Sequence, residues 1–512
     1  MSNLLQKASI ITTPTAYNDG KLLSVKPVEY YGPELVTNGD FATDSDWTLG
    51  TGVTISGGFA NFNGAVNTNI RQDIGLITGK TYKIVFTVSN YVSGNIDYNV
   101  GGNTRKGEIT ANGTYTDSVV SDSGALLFFQ SDQSLGFVGS IDNVSVKEVF
   151  NADFDFTRGS SATRVGSNGL IQTVASGLPR IDYSGGVGHI LTEPERTNLE
   201  TKSNGFSTWV LVSNVTRTAD YTLSPEGVSN ATRLQFTSNG FVANSTITSG
   251  TEYTVSVYAK RNDTGIQSFG FFVDGSGAVN SEMSLTSEWE RFSFNHTATN
   301  GSYVGLAGLS GADVSVYGFQ VEQASYPTSY IVSNSGSATT RLGETLNNSG
   351  SADLINSTEG VLMAETKGEN DGTFNYISLS DGNTSNYVGI LYTDEDNQIT
   401  YRYYVGGSGV QLIIDDIIVT NFNKIAVKWK INDFAIWING YEVGTASSGG
   451  LNPSGTFNEL AFARGGSNNT PFYGKTKCVA VFKEALSDLE LECLTSWMSF
   501  ADMGIALGYT IE

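Results

Sequence analysis

A mainly β, multi-domain protein made of packed sandwiches is what this sequence predicts, on three observations. Fifty-nine glycines stand beside 27 phenylalanines and 24 tyrosines, while charged residues make up only 16%, a composition that suits short strands joined by tight turns. Apolar and polar residues alternate with period two in stretch after stretch, as half-buried strands do. The 512 residues also exceed what one core organises, so roughly three or four domains are expected.

Taken in order, residues 1–30 predict two short strands around Asn18-Asp19-Gly20, a hairpin-type turn. Residues 31–149 hold an eight-residue alternating strand, Thr81 to Val88, and close at Gly139–Val146. Between Phe154 and Leu199 lie only short apolar pieces separated by Gly, Ser, Asn and Pro, with four arginines, Arg158, Arg164, Arg180 and Arg196. That stretch has no long apolar face, so it must lie against other parts of the protein. Residues 199–332 repeat the plan of 31–149. Asn204-Gly205-Phe206 with Trp209 echoes Asn38-Gly39-Asp40-Phe41 with Trp47, and the strand Tyr253 to Lys260 parallels residues 81–88. Ser333 to Thr340 is a small-residue linker. Within 340–512, Ile425–Lys430 and Phe434–Ile438 alternate around Asn432-Asp433, and Asn439-Gly440 marks a two-residue hairpin leading into Tyr441-Glu442-Val443. Ser487 and Glu490 form a capping box. The helix behind them sets Leu491, Leu494 and Met498 on one face, with Cys493 and Trp497 beside them.

Composition also excludes function classes. A net charge of −22 argues against a nucleic-acid groove, which needs a basic stripe. Met1–Lys7 is not followed by the apolar core of a secretory leader, and no run of about 18 apolar residues predicts membrane insertion. Two histidines, His189 and His296, and the lack of HExxH, CxxC or P-loop patterns remove the usual signatures of zinc and nucleotide chemistry. Cys478 and Cys493 read as free thiols rather than a bridge.

The segment Phe156-Thr157-Arg158, Ser161-Ala162-Thr163-Arg164-Val165, Gly169-Leu170-Ile171, Pro179-Arg180-Ile181-Asp182-Tyr183 and Glu193-Pro194-Glu195-Arg196-Thr197-Asn198-Leu199 resembles one common in bacteriophage tail and appendage proteins. In such proteins the N-terminal opening often runs almost directly into this segment. Here about 120 residues intervene, which implies that 31–149 is inserted into a discontinuous base unit, 1–30 plus 150–198. The openings and closings of 31–149 and 199–332 resemble carbohydrate-binding-module-like jelly rolls. The strand–Ala485-Leu486-Ser487-Asp488–helix ending of 340–512 resembles a concanavalin-A-like (laminin-G-like) lectin sandwich. These resemblances imply two jelly-roll β-sandwiches, a concanavalin-A-like β-sandwich and a small loop-rich base unit. They imply a virion protein, tail or capsid appendage, made in the host cytoplasm. Its partners would be other virion proteins and host-surface glycan, and it would be a homo-oligomer with a trimer favoured. A purely structural decoration protein and a polysaccharide-degrading enzyme with non-local acids are the alternatives.

The candidate residues follow from that chemistry. Sugar binding needs an aromatic platform, for which Trp47, Trp209 and Trp289 are candidates, while Trp429 and Trp437 sit in a central-looking meander. Concanavalin-A-like glycosidases carry paired carboxylates on one strand. Here Glu369-Asn370-Asp371 is followed by Thr373 and Phe374 where a second glutamate is required, so no catalytic residue is assigned. Arg158, Arg164, Arg180 and Arg196 either pair with local acids such as Asp155, Asp182 and Glu193 or clamp loops and subunits through their guanidinium forks. No cofactor is expected. Asp394-Glu395-Asp396-Asn397 and Asp381-Gly382-Asn383 read as solvated turns that also offer oxygen ligands for structural calcium.

Overall fold

Side chains two apart share a face of a strand, and the run Thr81–Gly94 shows the consequence: Tyr82, Ile84, Phe86 and Val88 all turn into a core. The computed structural model describes residues 4–18, 20–27, 30–102, 106–262, 265, 268–369, 372–466 and 470–496. The chain divides into two compact units, Pro27–Asn151 and Met1–Lys26 with Ala152–Glu512. Among the described residues no helix is long and apolar enough to cross a membrane.

In the unit Pro27–Asn151, one sheet runs Gly113–Val120, Thr81–Gly94, Phe137–Phe150, Phe59–Asn63, Val53–Ser56, and Tyr30–Tyr31 pairs with the end of Phe137–Phe150. The facing sheet runs Lys106–Ile109, Ile96–Val100, Leu126–Ser131, Asn69–Asp73, Thr48–Leu49. Phe86 joins the two layers, with its ring centroid 4.8 Å from Phe129 and 5.3 Å from Tyr98.

Residues 199–332 reproduce that plan strand for strand. Glu290–Thr297, Glu252–Arg261, Asp313–Glu322, Ser229–Thr246 and Leu211–Leu223 follow one another as the five strands of the first sheet do. Phe269–Phe272 and Tyr303–Gly308 supply the second layer. The difference is one unbroken strand. Ser229–Thr246 pairs with Asp313–Glu322 through residues 232–235 and with Tyr303–Gly308 through 240–246, where the other sandwich uses the separate strands Phe59–Asn63 and Asn69–Asp73. Both sandwiches also share a corner. The Tyr82 hydroxyl accepts the Ile77 N–H at 2.9 Å and the Tyr253 hydroxyl accepts the Thr248 N–H at 3.2 Å. Each corner turns on a left-handed glycine, Gly79 (φ 86) and Gly250 (φ 78), a conformation glycine adopts without steric cost.

The carboxyl-terminal sandwich packs a five-stranded sheet on an eight-stranded one. The larger sheet runs Arg180–Asp182, His189–Thr192, Gly474–Phe482, Gly360–Gly368, Asn423–Trp429, Phe434–Ile438, Tyr441–Ala446. Ala8–Thr12 joins it along Val479–Phe482, end to end with His189–Thr192 along Gly474–Thr476. The segments expected as a base unit therefore give strands to the sheet of the last domain, which is how pieces with no long apolar face become buried. Asn439 (φ 51) and Gly440 (φ 90) form the hairpin between Ile438 and Tyr441, with the positive φ at both positions that such a turn needs. The helix Asp488–Ser496 packs Leu491 and Leu494 with Leu4, Ile11 and Trp437. The Ser487 N–H and hydroxyl both reach Glu490 Oε2, at 3.0 and 2.9 Å. Trp497 and Met498 lie outside the described residues, as does Asp19 in the turn between Tyr17–Asn18 and Lys21–Leu22. Both cysteines are free, Cys478 buried and Cys493 partly exposed.

Candidate functional site

The tryptophans expected as sugar platforms are held inside or against cores. Trp47 donates its indole N–H to Asn38 O at 3.0 Å and packs on Phe41, centroids 5.2 Å apart. Trp209 does the same with Lys202 O at 3.0 Å and Phe206 at 4.7 Å. With 8% and 2% exposure, neither offers an open ring face. The reason is their shared place in the duplicated sandwich, where an indole packs into each core. Trp289 is half-buried. It packs beside Ile171, Ala231 and Tyr330, its N–H goes to Leu223 O at 2.9 Å, and Lys260 Nζ lies 5.1 Å from its ring centroid. Trp429 is fully buried, bonded to Asn356 O at 3.1 Å, and Trp437 is buried.

The four arginines separate into two kinds. Arg158 and Arg180 enter a buried charge network with Arg341, Glu193 and Glu344. Glu344 receives Arg158 Nη1 at 2.6 Å and Arg180 Nε at 2.8 Å, and also accepts the Glu193 N–H at 2.9 Å. Glu193 receives Arg180 Nη1 at 2.8 Å, Arg341 Nη1 at 2.7 Å and the Ser329 N–H and hydroxyl. The spare guanidinium donors close onto backbone carbonyls: Arg158 on Ser160 and Ala175, Arg180 on Thr163, and Arg341 on Pro194. Burial alone would raise the Glu193 carboxyl, but Arg341 and Arg180 outweigh it and hold the group at about 2. Arg164 instead reaches Tyr17 OH at 3.1 Å and Gln172 at 3.4 Å. Arg196 bonds Glu195 O at 3.1 Å and lies over the Tyr326 ring.

Of the expected local acids, Glu193 does pair with Arg180, while the other two go elsewhere. Asp155 is taken by Lys21 at 2.8 Å, and Asp182 by His189 and two backbone N–H groups. Arg341 and Glu344 were not anticipated. The signal that could have found them is Ser337-Ala338-Thr339-Thr340-Arg341-Leu342, which repeats the pattern of Ser160-Ser161-Ala162-Thr163-Arg164-Val165.

The second locus is the five-stranded sheet Ser408–Ile414, Ile399–Val405, Tyr387–Tyr392, Asn375–Ser380, Glu459–Ala461. Alternation in Tyr401-Arg402-Tyr403-Tyr404 splits this strand between faces. Tyr401 OH donates to Lys428 O at 2.9 Å and Tyr403 packs 5.5 Å from Phe434, so both face the other sheet. Arg402 and Tyr404 therefore lie on the other face, with Tyr387, the register partner of Tyr404, and Tyr376, both of them buried. Arg402 Nη1 donates to Tyr376 OH at 2.8 Å, and Arg464 lies 5.8 and 5.4 Å from the Tyr376 and Tyr387 ring centroids. Tyr404, half-exposed, donates to Gln411 Oε1 at 3.1 Å.

These five strands carry one acid, Glu459. Burial pushes its carboxyl up, and the Asp155 charge adds to that, against the Asn348 N–H. Asn348 holds both carboxylates, Glu459 through its N–H and Asp155 through Nδ2, each at 2.9 Å. Asp155 is itself committed to Lys21. Of the Glu369-Asn370-Asp371 motif, Asn370 and Asp371 lie outside the described residues. Asp381 caps its own turn through Asn383 N at 3.2 Å and Asn386 Nδ2 at 2.8 Å. Among the described residues no three acidic, histidine or cysteine side chains converge as a metal ligand set.

No curated protein matches the sequence. Several solved structures are similar to parts of the chain. The CBM40 of the Ruminococcus gnavus IT-sialidase bound to alpha2,3 sialyllactose covers 29% of this chain and 93% of its own, at 17% identity and a TM-score of 0.26. The leech intramolecular trans-sialidase complexed with 2,7-anhydro-Neu5Ac covers 28% of this chain and 24% of its own, at 20% identity and 0.23. The CBM22-1-CBM22-2 tandem domain of Paenibacillus barcinonensis Xyn10C covers 57% and 98%, at 8% identity and 0.18. Residues 363–492 match the family described as the Concanavalin A-like lectin/glucanases superfamily. That span takes in the whole five-stranded sheet and most of the larger one, so the carboxyl-terminal sandwich is similar to concanavalin-A-like lectins and glucanases.

Proposed function

We propose that this chain is a bacteriophage virion protein, a tail or capsid appendage, whose carboxyl-terminal sandwich binds host-surface glycan without cleaving it. The observation that carries the reading is the outward face of the five-stranded sheet, Tyr404 and Arg402 beside Arg464 and Gln411, in a domain similar to concanavalin-A-like lectins and glucanases. A sugar's C–H face packs on a tyrosine ring while guanidinium and amide groups bond its hydroxyls. The virion assignment rests on the phage-like segment from Phe154 to Leu199. In this reading that segment, with residues 1–26, anchors the protein to other virion proteins and supports a homo-oligomer, a trimer being favoured. The non-enzyme assignment is supported by the single acid in the five strands, since hydrolysis needs a second carboxyl group about 5–9.5 Å away. Copies repeated on a particle make millimolar single-site affinity sufficient.

The test is binding of the purified full chain to host-surface polysaccharide on a multivalent support, with reducing ends assayed in parallel. Tyr404→Ala and Arg402→Ala are expected to weaken binding at least tenfold while the thermal transition stays in place. Released oligosaccharide that disappears in Glu459→Gln would replace the non-enzyme reading with a hydrolase. An absence of binding even in multivalent form would leave a decoration protein.

A further inference from the structure

A cleft of about 340 Å³ opens in the unit formed by Met1–Lys26 and Ala152–Glu512, away from the Tyr404 face, and is lined by Arg164, Arg291, Lys367 and Lys475. In a chain where 51 acids outnumber 29 bases, none of these four cations forms an ion pair among the described residues. Lys367 and Lys475 stand directly opposite each other on neighbouring antiparallel strands, an arrangement in which like charges repel at close range. Lys475 Nζ donates to Ser184 Oγ at 2.8 Å, and the Lys367 side chain makes no hydrogen bond among the described residues. The Arg291 guanidinium lies 5.5 Å from the Tyr258 ring centroid and gives Nη2 to Ser256 Oγ at 3.0 Å, while its Nε–H is buried and unbonded. Among the described residues the Tyr258 hydroxyl has no hydrogen-bond partner either.

Two of the three acids of the cleft are committed to other partners. Asp182 is occupied by His189 and the Val165 and Ser184 N–H groups, and Glu193 by Arg180 and Arg341. Glu369 is the third. A fold that places two lysines face to face and leaves a buried guanidinium donor unbonded departs from local stability rules, which folded chains do mainly at functional sites.

We propose that this cleft binds a carboxylated sugar residue. Its carboxylate neutralises the Lys367–Lys475 pair, its hydroxyls meet Arg291 and Tyr258, and its C–H faces lie on the apolar part of the lining. The cleft is within the size range of small-ligand sites, about 300–1,000 Å³. The site stands apart from the Tyr404 face, so either can exist without the other.

The experiment is calorimetric titration of the full chain with glucuronate, galacturonate and N-acetylneuraminate, against methyl glucoside and inorganic sulfate, at low and high salt. At least one sugar acid is expected to bind at least tenfold more tightly than methyl glucoside and sulfate, and to weaken as salt rises. Lys367→Gln with Lys475→Gln, and Arg291→Gln separately, should each lose at least tenfold in affinity. The double lysine variant should unfold at the same or a higher temperature without ligand, because the repulsion is gone, and should lose the thermal upshift that the sugar acid gives the wild type. Unchanged affinity in these variants, no binding of any sugar acid, or sulfate binding as tightly as the sugar acids would overturn the proposal. Tyr404→Ala, which removes the other glycan face, should leave the sugar-acid titration unchanged, so the two readings fail separately.

Discussion

Arg180 and Glu344, 164 residues apart in sequence, meet as a two-pronged ion pair in the interior, Nε to Oε1 at 2.8 Å and Nη2 to Oε2 at 2.5 Å. Both side chains are fully buried, and Arg158 shares the same carboxylate. Glu344→Gln keeps the shape and removes the charge, leaving buried Arg158 without its counter-ion and Arg180 with Glu193 alone. Breaking a buried pair in this way costs about 3–5 kcal/mol. Urea denaturation should show a loss of that size, whereas Lys21→Ala, at the exposed pair with Asp155, should cost about 0–1 kcal/mol.

Glu193 gives the network a pH dependence. Its folded value of about 2 lies below the ordinary 4.5, so its contribution is fully present above about pH 4.5 and disappears as pH falls through 2. A shift of that size corresponds to something on the order of 3 kcal/mol. Thermal unfolding followed from pH 6 to pH 2 should show a progressive loss of stability over this window. Glu193→Gln should be less stable at pH 6 and flatter in its acid dependence.

Gly39 is a steric requirement of the unit Pro27–Asn151. A Cβ at this position would stand 2.0 Å from Val144 O, and the Val144 N–H donates back to Gly39 O at 2.8 Å. Neither backbone can move without opening the pairing. Gly39→Ala should lower or remove the calorimetric transition of this unit, and leave the transition of Met1–Lys26 with Ala152–Glu512 where it was. Limited proteolysis should then cut within 31–149 first.

Features set by neighbours in sequence are legible in the sequence alone. Thr81–Val88 and Phe434–Ile438 declare themselves by alternation, and Asn439-Gly440 by the conformations its residues tolerate. The matching Gly-x-x-Tyr corners at Gly79 and Gly250 lie inside the two stretches already recognisable as a repeat. What depended on distant partners was not legible. Arg158 finds its carboxylate 186 residues away at Glu344, while the nearby Asp155 goes to Lys21. Aromatic content suggested Trp47 and Trp209 as platforms, yet whether a ring meets solvent depends on what packs over it, and both belong to cores. The Arg402–Tyr404 face required the cross-strand register, since the same strand sends Tyr401 and Tyr403 the other way. The lysine pair in the cleft likewise exists only through the pairing of Gly360–Gly368 with Gly474–Phe482.

That last strand has a consequence for how the protein comes into being. Ala8–Thr12 is made about 470 residues before its neighbour in the sheet, Val479–Phe482. At ordinary translation speeds the interval is roughly 25–90 s. Throughout it the early strand has an unsatisfied edge, while the sandwich of Pro27–Asn151, which has its own core, can fold as it emerges. The nascent chain therefore carries a finished domain and an open strand edge that must be kept from pairing with other copies until Gly474–Phe482 has been made.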